Sequence, residues 1–130
     1  MPAPKPPEFR PVTVAVAGVS VTVHGVRADQ ELAKKWKTGK GYAVVVLDVE
    51  VATDRRSAAK YGPKLFRAKD DKGREADAEA KGFAGSLTAG GLKERDRVRG
   101  LLAFEVADPA APLTLTFAGG PKPIPVRVAR

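Results

Sequence analysis

Residues 42–53 read YAVVVLDVEVAT, and the odd positions Ala43, Val45, Leu47, Val49 and Val51 are all apolar. Asp48 and Glu50 take even positions. A period of two predicts a long strand with one face in a core. Val44 and Val46 make the first half apolar on both faces, as a central strand requires. Upstream, residues 12–16 and 19–24 alternate around a turn at Gly18, with valines to one side. Gly25 interrupts the second run and predicts a bulge or bend before Val26. Downstream, residues 64–69 form a short alternating strand that ends in Asp70-Asp71-Lys72-Gly73, a turn with glycine at a position of positive φ. The return, Arg74 to Glu79, reads as a polar edge strand, although its alanines and charges equally suit a helix.

Residues 92–106 are the second strongly specified strand. Val98, Gly100, Leu102, Phe104 and Val106 share one face, and Arg97, Arg99 and Glu105 point away. Asp108-Pro109 turns the chain, and Leu113, Leu115 and Phe117 give the inner face of a further strand. Val126 to Val128 adds a final edge strand, its start blunted by Pro123 and Pro125. The pattern lapses in three places. Asp29 is positioned to cap a short helix through Glu31, Leu32 and Trp36. Residues 57–63 look irregular, and Phe83 and Leu87 lie in a Gly-rich connection closing at Gly90-Gly91. Four prolines in the first seven residues make 1–11 a Pro-rich arm or linker, leaving 12–130 as the domain.

Seven to nine short strands separated by turn signals predict an all-β fold, an immunoglobulin-like antiparallel β-sandwich. The expected core is Val19, Val21, Val23, Val45, Leu47, Val49, Val51, Phe66, Val98, Leu102, Phe104, Leu113, Leu115 and Phe117. No internal repeat suggests a propeller or solenoid. At 130 residues the chain can bury such a core without staples. The absence of cysteine excludes disulfides, thiolate metal sites and cysteine nucleophiles.

Charge changes the picture more than composition does. A formal net charge of +8 draws the chain toward polyanions: nucleic acid, anionic lipid or an acidic wall polymer. The bland alternative is a solubilising background in an Arg-, Ala- and Gly-rich chain. Lys34, Lys35, Lys37 and Lys40 crowd around Trp36, and Arg55 and Arg56 follow the central strand. Arg95, Arg97 and Arg99 read as projecting from one strand face, about 7 Å apart. Such a strip can track phosphates or sulfates, with an aromatic for stacking. Against it, Asp48, Glu94, Asp96 and Glu105 are interspersed, as on a solvated sheet face, and Trp36 would then plug one end of the sandwich.

Other chemistry is thin. His24 is the only histidine and falls on the polar face of its strand, with no nucleophile and acid to make a triad. Asp70 to Gly73 resembles a fragment of a calcium loop without the later ligands. Gly119-Gly120 is followed by prolines rather than a helix that could hold phosphate. No catalytic residue, metal or cofactor is expected. No apolar run of about 18 residues predicts a membrane-spanning helix. Residues 1–11 lack the apolar core of a secretory signal, so the chain is either cytoplasmic or preceded by an export signal.

Several landmarks in order resemble a bacterial immunoglobulin-like family of unassigned function, common in secreted proteins and lipoproteins and similar to the mycobacterial immunoprotective extracellular antigen. They are the valine-rich first hairpin, Gly41-Tyr42 opening the strand to Thr53, Leu65-Phe66 before the Asp70 to Gly73 turn, and Leu92 to Gly100 leading into Phe104-Glu105-Val106. Asp54 stands where that family prefers Asn, Glu94-Arg95 replaces its Pro-Gly, and Ala76 replaces a frequent aromatic. The resemblance implies a sandwich and an extracytoplasmic location, and transfers no catalytic residue. The expected function is a non-enzymatic binding or accessory module of the cell envelope or exterior, with an unknown protein or an anionic polymer as partner. A basic cytoplasmic domain binding nucleic acid is the alternative, and an exposed strand edge could pair with itself or another chain.

Overall fold

The computed structural model describes residues 11–39, 41–54, 56–79, 83, 85–107 and 112–128. In chain order its elements are β1 (Val12–Val16), β2 (Val19–Ala28), helix α1 (Gln30–Lys35), β3 (Ala43–Thr53), β4 (Ala59–Tyr61), β5 (Phe66–Asp70), β6 (Glu75–Asp77), β7 (Gly90–Leu92), β8 (Arg97–Val106), β9 (Leu113–Phe117) and β10 (Ile124–Val128). One four-stranded sheet has the order β1-β2-β3-β8 and the other β10-β9-β5-β6. All the strand pairs are antiparallel, and the inner faces of the two sheets share one apolar core, making a β-sandwich. Among the described residues its two sheets hold eight strands, within the expected seven to nine.

The alternation of β2, β3 and β8 fixes which residues enter that core. All the expected positions are buried except Val98, which is half-buried at the margin. Phe66 and Phe117 face each other in register across β5 and β9, with ring centroids 4.8 Å apart. Ile124, Val126 and Val128 are equally buried, although the prolines beside them argued only for an edge. An edge strand lacks a hydrogen-bonding neighbour on one side, which Pro125 tolerates, while its alternate side chains still face the core.

β2 carries the bulge that Gly25 signalled. Val23 pairs with Val49 and Gly25 with Asp48, so His24 is the extra residue. Beyond it Val26 pairs with Leu47, keeping an apolar residue inward after the interruption.

Two readings are corrected. The 92–106 stretch is not one strand: residues 93–96 form a turn, and β8 begins at Arg97. Thr53 pins that turn, its hydroxyl donating to the Lys93 carbonyl at 2.5 Å and accepting from the Asp96 N–H at 3.0 Å. Secondly, the irregular and Gly-rich segments pair as a small separate ribbon, β4 with β7. Glycine at 90 and 91 leaves no alternation to read there. The predicted turn at Asp108-Pro109 lies outside the described residues.

Both faces of the first half of β3 are buried, as Val44 and Val46 required. On the outer face they join Ala103 in a second small cluster, covered by Leu32, Ala33, Trp36, Phe83 and Leu101. Among the described residues no helix is long and apolar enough to cross a membrane.

Candidate functional site

Asp29 makes α1 possible. Its carboxylate accepts from the Leu32 N–H at 3.0 Å, and its own N–H donates to the Val44 carbonyl at 2.9 Å, anchoring the cap to β3. Leu32, Ala33 and Trp36 then lie against the outer cluster, which leaves Lys34 and Lys35 outward and Lys37 just past the end. Lys37 has a φ of 51°, so the helix closes in a left-handed residue. The three ammonium groups are exposed and form no ion pair among the described residues. Trp36 is half-buried and meets Phe83 edge-on, with ring centroids 5.8 Å apart. It plugs the outer face of one sheet rather than an end of the sandwich.

The arginines occupy the other half of the same outer face. Arg99 grips Asp48 with two bonds, Nε to Oδ1 at 3.0 Å and Nη2 to Oδ2 at 2.9 Å. In register it opposes Glu50, so it reaches one diagonal step across to β3. Arg97, opposite Ala52, reaches Glu50 at 4.0 Å in the same way. Glu50 also bonds Nε2 of His24 at 2.7 Å. The bond from Arg99 outweighs desolvation and holds the Asp48 carboxyl below the usual range, and the same pair keeps the Arg99 guanidinium more firmly protonated. Two strands, β3 and β8, therefore share a lattice of alternating charges, and His24 of β2 is hydrogen-bonded to its edge.

The basic positions named from the sequence thus fall into two groups. Lys34, Lys35 and Lys37 surround Trp36 at the start of β3. Arg56, Arg95 and Arg97 gather near its end, with Arg99 two residues further in along β8: the Arg56 N–H donates to the Asp54 carboxylate at 2.9 Å, and the Arg95 N–H to the Asp54 carbonyl at 2.9 Å. Arg95 lies in the 93–96 turn with a φ of 55°, not on the strand face. β3 takes ten steps from Ala43 to Thr53, so the two groups are roughly 30 Å apart along it at strand rise. Lys40 and Arg55 lie outside the described residues.

Asp70 spends its carboxylate on its own turn. It accepts from the N–H groups of Lys72 and Arg74 at 3.0 and 2.8 Å and from the Arg74 guanidinium at 2.6 Å. Burial raises its pKa, but these bonds prevail and the carboxyl sits below its ordinary range. Glu75 and Asp77 are held by Arg67, at 3.7 and 2.7 Å. Among the described residues no three acidic or histidine side chains form a group able to hold a metal ion.

Two concavities escaped the sequence reading. Tyr42, 57% exposed, borders a cleft of about 310 Å³ between β8 and the β5–β6 hairpin. A second, more apolar cavity of about 490 Å³ opens beside the β4–β7 ribbon. Its local sequence, Lys60-Tyr61-Gly62-Pro63-Lys64, reads only as a turn, since the cavity exists only once β7 pairs with β4.

No family model and no curated protein matches the chain. Solved structures do. A secreted protein of Mycobacterium tuberculosis, MPT63, matches with a TM-score of 0.63 and 11% identity over 90% of each chain. A candidate lipoprotein of Bacillus subtilis (ycdA) matches with a TM-score of 0.63 and 14% identity over 82% of this chain. The matched part is 33% of that longer protein. The yjhA protein of the same organism gives a TM-score of 0.58 and 16% identity, covering 85% of this chain and 82% of its own. At such identities the likeness concerns the fold, and there it agrees with the resemblance drawn from the strand landmarks.

Proposed function

We propose that this domain is a non-enzymatic immunoglobulin-like binding or accessory module of the bacterial cell envelope or exterior, carried on residues 1–11 as an arm or linker. The observation that carries the reading is a sandwich shared with a secreted protein over 90% of both chains. The candidate lipoprotein, with the same fold in one third of its length, supports it as a module of larger envelope proteins. The outer-face charges also fit this role, since Asp48, Glu50, Arg97 and Arg99 engage one another as a structural lattice. Fractionating source cells with an antiserum tests the location. Recovery in the envelope or medium is expected, and recovery in the cytosol alone would overturn the proposal.

A second reading, polyanion or nucleic-acid binding, draws on Lys34, Lys35 and Lys37 standing exposed with no ion pair among the described residues. Affinity for heparin or DNA would then fall steeply with salt and weaken when the three are neutralised together. An absence of binding at low salt ends that reading.

A further inference from the structure

The cavity beside the β4–β7 ribbon is built by two glycines. Gly62 has φ 151° and ψ 165°, a region open essentially to glycine alone, and this turns the chain from β4 into the Pro63–Leu65 helical turn. A Cβ there would lie 3.1 Å from Ala89. Gly90 opposes Tyr61 in register, and a Cβ on it would come within 2.6 Å of Cζ of that ring. Tyr61 and Leu65 are packed on the main core and give the space a fixed apolar wall, which Pro63 and Ala89 extend.

The polar side chains around this wall can all donate. Lys60 and Lys64 line the cavity, are exposed, and form no ion pair or side-chain hydrogen bond among the described residues. The Tyr61 hydroxyl likewise has no hydrogen-bond partner among them, and none of the described residues lining the cavity carries a carboxylate. About 490 Å³ of mostly apolar space with a few convergent polar groups suits a small ligand.

We propose that the cavity binds an amphipathic carboxylate, its hydrocarbon body against Tyr61, Pro63, Leu65 and Ala89 and its acidic head between Lys60 and Lys64. The inference gives a ligand class to the binding module proposed above and rests on that reading. Fractionation tests location and titration tests the cavity, so each can fail while the other stands.

The test is titration of the full chain with octanoate, followed through backbone amide chemical shifts. Saturable shifts centred on residues 60–65 and 89–90 are expected. Octanol, with the same tail and no charge, should bind about tenfold more weakly, as should octanoate to the K60Q/K64Q variant. The K69Q/K72Q variant removes the same charge elsewhere and should bind octanoate like the parent. All four lysines are exposed, so every variant keeps the folded amide spectrum. Absence of saturable shifts, shifts centred elsewhere, or an equal loss in K69Q/K72Q would overturn the proposal.

Discussion

Deleting one residue from β2 should be tolerated at position 24 and ruinous at position 22. His24 is the residue that the β2–β3 register skips, so its removal brings Val23 and Gly25 into consecutive pairs with Val49 and Asp48. What is lost is the bulge and the bond from His24 to Glu50, worth about 0.5–1.5 kcal/mol. Removing Thr22 leaves no such regular ladder. If the pairs beyond Val23 hold, Val19 and Val21 turn from the core to the solvent face. Both are fully buried, and exposing them costs about 1.5–3 kcal/mol each, or about 3–6 together. If the bulge instead absorbs the loss, His24 drops into the slot of Val23 and an imidazole enters an apolar core. Either route removes much of a stability expected at about 5–15 kcal/mol. Urea titration followed by far-ultraviolet circular dichroism measures both variants. With a slope of about 1–3 kcal/mol per molar, the midpoints should differ by at least about 0.5 M. Equal midpoints would refute the β2–β3 register with His24 as its extra residue.

Two further predictions probe the core and the charge lattice. Phe104→Ala empties a fully buried aromatic site opposite Val45 and should cost ~3–5 kcal/mol in a denaturant titration; a loss under about 1.5 kcal/mol would contradict its inward placement. Asp48 has its folded pKa depressed below 3.8 by the bond from Arg99, so its contribution is present above that pH and fades as pH falls through the folded value. The stability gap between the parent and Asp48→Asn should therefore be flat near neutrality and close below about pH 4, and a gap that persists at lower pH would break the assignment.

The strand pattern made most of the sandwich legible, because burial on one face leaves a period of two in Val19 to Val23, in Val45 to Val51 and in Leu113 to Phe117. Gly25 announced the bulge, and Asp29 the helix cap, since both act through neighbours close in sequence. The β4–β7 ribbon left no such trace: Ala59 and Leu92 become strand residues only by meeting each other across more than thirty positions. The candidate sites divide along the same line. Sequence located the basic side chains, but which of them keep free charge depends on partners across strands. Arg97 and Arg99 meet Glu50 and Asp48 through the β3–β8 register, whereas Lys34, Lys35 and Lys37 meet no carboxylate among the described residues. Alternation, turns and the inventory of charge are local properties, written along the chain before it folds. Tertiary structure alone decided the pairing of those charges and the cavity between Tyr61 and Ala89, because both are made by segments that come together only when the chain folds.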